Sequence, residues 1–213
     1  MELKAGDMIR FGWETFKKRP WFLIGAFLAI NVGYGIASGA VNGMLVALIG
    51  KSGGAAILET LVRFIFQTLL GIGMIQFFLK AHDDVSTATL WDLWNPKPFW
   101  RYAGTTIVSL LIILIGLVLL IVPGIIAMIA LMFTSYLVVD RSLQPIEAIK
   151  ESARITKGNR MELFLFVLAI IGISILGILC FVVGILVAVP VAALAAAHAY
   201  RTLEHKAGEV VPA

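Results

Sequence analysis

From Met161 to Tyr200 the chain runs for forty residues with one charged side chain, Glu162. As an unbroken helix rising about 1.5 Å per residue this run would be roughly 60 Å long, about twice the hydrocarbon thickness of a bilayer. It must therefore fold back, and a turn is predicted between Gly177 and Gly184. The rest of the sequence has the same character. It is 60% hydrophobic and only 14% charged over 213 residues, with a mean hydropathy of +0.97, whereas soluble domains carry about 25% charged residues. The composition reads as an integral membrane protein.

Six segments are long and apolar enough to cross a bilayer, near residues 21–47, 57–80, 102–122, 124–140, 161–179 and 182–202. The Val122-Pro123-Gly124 sequence is predicted to turn the third span into the fourth, since proline lacks an amide proton and glycine tolerates a positive φ. With an even number of spans, 15 of the 17 basic residues fall on the side that holds both termini, leaving Lys51 and Arg63 for the other. The positive-inside rule makes that side cytoplasmic. All five tryptophans, Trp13, Trp21, Trp91, Trp94 and Trp100, fall on the same side, where indoles favour the headgroup layer. A cleavable signal peptide is not expected after Lys17-Lys18-Arg19, because the apolar run that follows exceeds a signal core.

Each pair of spans follows a short amphipathic segment and a basic or proline-rich turn: "DMIRFGWETFKKRPWF", "STATLWDLWNPKPFWR" and "PIEAIKESARITKGNR". The expected fold is a single all-α membrane bundle over residues 1–213, with six transmembrane helices in three hairpin repeats (about 5–82, 84–140 and 144–204), each introduced by a cytoplasmic amphipathic helix. In the first of these, Ile9, Gly12, Trp13 and Phe16 are expected to form the apolar face. In the third, Pro145 suits the first helical position, Gly158 suits the turn after the helix, and Ile146, Ile149 and Ala153 form a narrow apolar stripe.

The polar residues divide into two sets. Lys17, Lys18, Arg19, Lys97, Arg101, Lys157 and Arg160 recur at the turn into each hairpin, where anionic headgroups lie, and serve topology or headgroup contact. Inside the first two spans, Asn31, Asn42, Arg63 and Gln67 form a candidate intramembrane polar site. Asn31, Gly35, Ser38 and Asn42 share a face that also carries Gly39 and Gly43, which suits a packing face in the bundle, a contact between copies, or a solute path. Arg63 is placed to pair with Glu59 one turn earlier, and its alternative role is binding opposite Asn31 or Asn42. His82-Asp83-Asp84 reads as a solvated loop, His198 as an interfacial side chain, and Cys180 as a small packing residue. No phosphate-binding glycine loop, activated nucleophile or zinc motif is present, so no catalytic residue, metal or cofactor is predicted.

Several residues of the C-terminal half carry a family resemblance: Pro123, Gly124, Val139, Asp140, Pro145, Ala148, Ser152, Thr156, Lys157, Gly158, Tyr200 and Arg201. In this pattern the chain resembles bacterial multi-pass membrane proteins of unknown function related to the membrane domain of some glycerophosphodiester phosphodiesterases. The resemblance implies an architecture more than an activity, because in the fused relatives chemistry belongs to a separate soluble domain. The expected function is that of a non-catalytic accessory or scaffold protein of the bacterial inner membrane. It would engage anionic lipid, a membrane-protein partner or a second copy of itself, and not nucleic acid. A small transporter or channel using spans one and two is the alternative, and a lipid-modifying enzyme follows behind it.

Overall fold

The computed structural model describes residues 3–50, 53–93, 97–179 and 183–209, and outside a few turns these are helical. Lys51, Trp94 and Cys180 lie outside the described residues. The helices are α1 (Ala5–Lys18), α2 (Pro20–Ile49), α3 (Gly53–Asp83), α4 (Phe99–Leu119), α5 (Ile121–Ala130), α6 (Thr134–Arg141), α7 (Pro145–Ile155), α8 (Arg160–Leu179) and α9 (Val183–Glu209). Six stretches are long and apolar enough to cross a membrane, with α5 and α6 together forming the fourth. Their bounds agree with the sequence expectation to within a few residues, because twenty apolar residues between polar turns leave few other solutions.

α9 is the central helix, touching α1, α2, α3, α7 and α8. Its Ala-rich sequence suits this place, since small side chains let neighbouring backbones approach closely. A close approach of this kind is at Gly12 of α1, where an added Cβ would lie 2.5 Å from the Val191 carbonyl oxygen and 3.1 Å from Ala195. Two adjacent cores result. Phe133, Leu137, Leu163, Phe166 and Tyr200 are buried in one, and Leu23, Phe77, Phe78, Val191 and Leu194 in the other. α8 and α9 also meet closely where Gly177 opposes Gly184, as the folded-back run requires.

The structure corrects five local expectations. The turn between the third and fourth spans is at Leu120, which is extended (φ −163°, ψ 143°), so Pro123 and Gly124 lie in the first turn of α5. Proline is tolerated there because the first amides of a helix have no partner within it, and Gly124 serves close contact with Leu117 instead. The fourth span is not one helix but breaks at residues 131–133. Between α3 and α4 the described residues hold a turn at 85–87 and a 3-10 turn, Leu90–Leu93, against Gly73 of α3, in place of the expected amphipathic helix. In α7 the buried face is Ala148, Ser152 and Ile155, while Ile146 is 64% exposed. In α1 it is Met8, Gly12, Thr15 and Phe16, with Trp13 turned outward.

The α7 face follows from the break. Ser152 Oγ donates to the Ala130 carbonyl at 2.8 Å, and Thr156 Oγ1 donates to the Ser152 carbonyl at 2.8 Å while lying 3.4 Å from Ala130 O. The last carbonyl of α5, stripped of its usual helical partner, is thus capped by a neighbouring helix, as a buried backbone group requires. Pro145 starts α7 with a reciprocal Gln144–Glu147 capping box, and Gly158 takes φ +87° in the turn into α8.

Candidate functional site

The ends of α3, α6 and α9 converge with α1 and α7 into one polar cluster. Arg201 of α9 is its hub. Its Nη2 and Nε reach both oxygens of Asp83 at 2.8 and 3.3 Å, while Nη1 reaches Asp140 Oδ2 at 2.9 Å and Glu204 Oε2 at 3.2 Å. Glu204 also accepts from Arg141 at 2.6 Å, and Arg141 lies 4.0 Å from Glu151, which pairs with Arg154. The Tyr200 hydroxyl, on a fully buried side chain, donates to Asp140 Oδ2 at 2.9 Å. One network therefore ties α3, α6, α7 and α9 at this end, and the Arg201–Asp83 fork has the two-point geometry that makes guanidinium–carboxylate pairs specific. Outside the spans, the Arg154 guanidinium holds the Glu151 carboxyl below its usual range.

Beside the hub, His82 Nδ1 lies 2.9 Å from Asp83 Oδ1, and His82 Nε2 lies 3.1 Å from His198 Nδ1. A carboxylate only accepts, so His82 must carry its proton on Nδ1, and with neutral rings His198 Nδ1–H then donates to His82 Nε2. Phe11 of α1 stacks on His198 with ring centroids 4.0 Å apart and 10° between planes, and it also contacts His82 at 4.8 Å. Phe11, His82, Asp83, Arg141, His198 and Arg201 line an open cleft of about 1100 Å³, together with the last turns of α9. Within the described residues no group of three or more His, Cys, Asp and Glu side chains is arranged to hold a metal ion.

The predicted basic set is divided by the structure into different roles. Arg19 donates to the carbonyls of Val85 and Ser86, both at 3.1 Å, and lies over the Phe22 ring; Arg101 donates to the Ser142 carbonyl. These two guanidiniums fasten turns. Lys17 lies over the Trp13 ring, and Lys18, Lys97 and Lys157 are exposed. Arg160 differs from all of them. It is half-buried at the start of α8, and its Nε is sealed from solvent without a hydrogen-bond partner among the described residues.

The intramembrane set is not brought to one point. Arg63 pairs with Glu59 at 2.9 Å as the spacing predicted, and with Ser38 and Asn42 it lines a recess of about 10 Å³, the lower limit for one water molecule. Asn31 and Gln67 are exposed elsewhere, with Asn31 Nδ2 donating to its own helix at Phe27 O. Gly35, Gly39 and Gly43 face open space, so this small-residue face does not pack within the chain. The described tryptophans are exposed, with Trp21, Trp91 and Trp100 all above 80%.

Some residues of the hub were singled out in the sequence one by one, and Arg141, Glu151 and Glu204 not at all. Asp140, Tyr200 and Arg201 belong to the resemblance pattern, whereas His82-Asp83 and His198 read as bland polar positions. The signal that could have joined them is positional, since Asp83 and Asp140 stand at the last residues of α3 and α6, and Arg201 in the last third of α9.

Residues 100–207, from α4 almost to the end of α9, match the family described as "Protein of unknown function (DUF975)". The chain belongs to the DUF975 family. The match takes in Asp140, Ser152, Tyr200 and Arg201, and so the α6–α7–α9 part of the hub. Over 98% of its length the chain is 31% identical to the uncharacterized proteins Rv2560 of Mycobacterium tuberculosis and Mb2590 of Mycobacterium bovis, covering 70% of each. No solved structure matches this family member.

Proposed function

We propose that this DUF975 protein is a polytopic protein of the bacterial cytoplasmic membrane, with both termini cytoplasmic. It acts without catalysis, as an accessory or scaffold protein that holds anionic lipid at its cytoplasmic face. In this reading the spans form three hairpin repeats, each introduced by an interfacial segment, in an architecture shared with the membrane domain of glycerophosphodiester phosphodiesterases. A membrane-protein partner or a second copy would dock on the same bundle.

The observation that carries the reading is Arg160. A guanidinium sealed from water at Nε and bonded to no described group leaves a donor unsatisfied, at a cost of about 1–3 kcal/mol or more. A phosphate headgroup at the mouth of α8, beside exposed Lys157, offers the half-buried guanidinium an opposite charge, and a turn of the side chain towards it would release Nε from its sealed position to an acceptor. The test uses the full chain in nanodiscs of phosphatidylcholine with one-quarter phosphatidylglycerol. Native mass spectrometry is expected to find phosphatidylglycerol retained by the wild type and largely lost from the Lys157→Glu/Arg160→Glu variant. Equal retention by both would remove the headgroup reading.

A further inference from the structure

The cleft at the end of α9 has hydrogen-bond donors to spare. It is lined by three basic side chains, Arg141, Arg201 and Lys206, and three imidazoles, His82, His198 and His205, facing two carboxylates, Asp83 and Glu204. Both carboxylates are already committed: Asp83 receives the Arg201 fork, and Glu204 receives Arg141 and Arg201. Arg201 is likewise saturated by three carboxylates. Three groups remain. Lys206 and His205 have no hydrogen bond or ion pair among the described residues, and the Nη1 edge of Arg141 has only Glu151, at the long distance of 4.0 Å.

We propose that this cleft binds a phosphate monoester, with Lys206, His205 and Arg141 as its ligands. A single carboxylate ligand would duplicate what Asp83 and Glu204 already supply. A tetrahedral dianion instead offers oxygens in several directions, matching a lysine point charge, a guanidinium edge and an imidazole N–H carried on two helices. The hub beneath fixes the site: Glu204 holds Arg141 in place, and Arg201 fastens α9 to α3 and α6, so the donors are ordered before a ligand arrives. The cleft volume of about 1100 Å³ leaves room for the organic part of the ester as well as the phosphate. The inference is independent of the Arg160 reading and concerns different residues.

The ester could be a soluble metabolite or the headgroup of a lipid such as phosphatidic acid, and the experiment separates them. The full chain is placed in pure phosphatidylcholine nanodiscs and titrated calorimetrically with glycerol 3-phosphate. In a parallel arm, retention of phosphatidic acid is measured by native mass spectrometry in discs that contain it. Expected is binding in at least one arm, weakened about tenfold or more by His205→Ala/Lys206→Ala; the phosphatidic acid arm is run with Lys157→Glu/Arg160→Glu already in place, so that only retention at the cleft is read. Because His205 is exposed and Lys206 is unbonded, the first double variant keeps the fold, which circular dichroism and thermal unfolding check. Binding only in the first arm identifies a soluble ester, and binding only in the second a lipid headgroup. Absence of binding in both, or binding that the His205/Lys206 variant leaves intact, overturns the proposal.

Discussion

The hydroxyl of Tyr200 donates to Asp140 Oδ2 at 2.9 Å across sixty residues of sequence, and the adjacent Arg201 reaches the same oxygen at the same distance. A buried phenol and a guanidinium thus share one carboxylate and lock α6 to α9. Tyr200→Phe keeps the packing and removes one bond to a charged acceptor, so it is expected to cost about 2 kcal/mol. Arg201→Leu removes the guanidinium shared by Asp83 and Asp140, leaving them only His82 and Tyr200 as partners among the described residues, and is expected to cost more, about 3 kcal/mol. Thermal unfolding in a single detergent ranks the two, and an Arg201→Leu cost below that of Tyr200→Phe would mean that Arg201 is not the hub.

Ser152 tests whether α7 repairs the broken fourth span. Ser152→Ala removes the donor at 2.8 Å and leaves the Ala130 carbonyl only the longer Thr156 contact of 3.4 Å. The expected loss is about 1–2 kcal/mol, with a further loss in Ser152→Ala/Thr156→Val. Hydrogen exchange at residues 131–134 should quicken in both variants. Unchanged exchange there would detach α7 from the break.

Gly12 tests the seat of α1 on α9. Any side chain at this position must displace the Val191 carbonyl, which a Cβ would meet at 2.5 Å. Gly12→Leu is therefore expected to lift α1, at about 2 kcal/mol or more, and to separate Phe11 from His198. Limited proteolysis before Pro20 should accelerate at least severalfold, while Gly6→Ala, at an open position, leaves the rate alone.

Asp92 gives the pH dependence outside the spans. Burial raises its pKa, but the Lys80 ammonium at 2.8 Å and the amide and hydroxyl of Thr89 outweigh this and hold it below the ordinary carboxylate value. A depressed folded-state value means that the stabilisation is complete above the unfolded pKa of about 3.9 and is lost as pH falls through the lower folded value. Fluorescence from the neighbouring Trp91 should report this loosening below about pH 4. In Asp92→Asn the acid-dependent change at this turn should be absent, and its persistence would assign the transition to another group.

The sequence by itself determined the number and approximate bounds of the spans, because an apolar run between polar turns has essentially one low-energy length in a bilayer. It also determined the local pair Arg63–Glu59, the helix start at Pro145 and the left-handed turn at Gly158, each of which depends on residues within four positions. Tertiary structure decided the rest. Which face of α7 is buried depended on a carbonyl freed by a break in another helix, and hydrophobic periodicity carries no record of that need. Which cations fasten turns and which stay unpartnered depended on where distant carbonyls arrived, so Arg19 and Arg160 look alike in sequence and differ in the fold. The hub followed the same rule: Asp83, Asp140 and Arg201 are unremarkable charges at three span ends until packing through the small residues of α9 brings them within hydrogen-bonding distance.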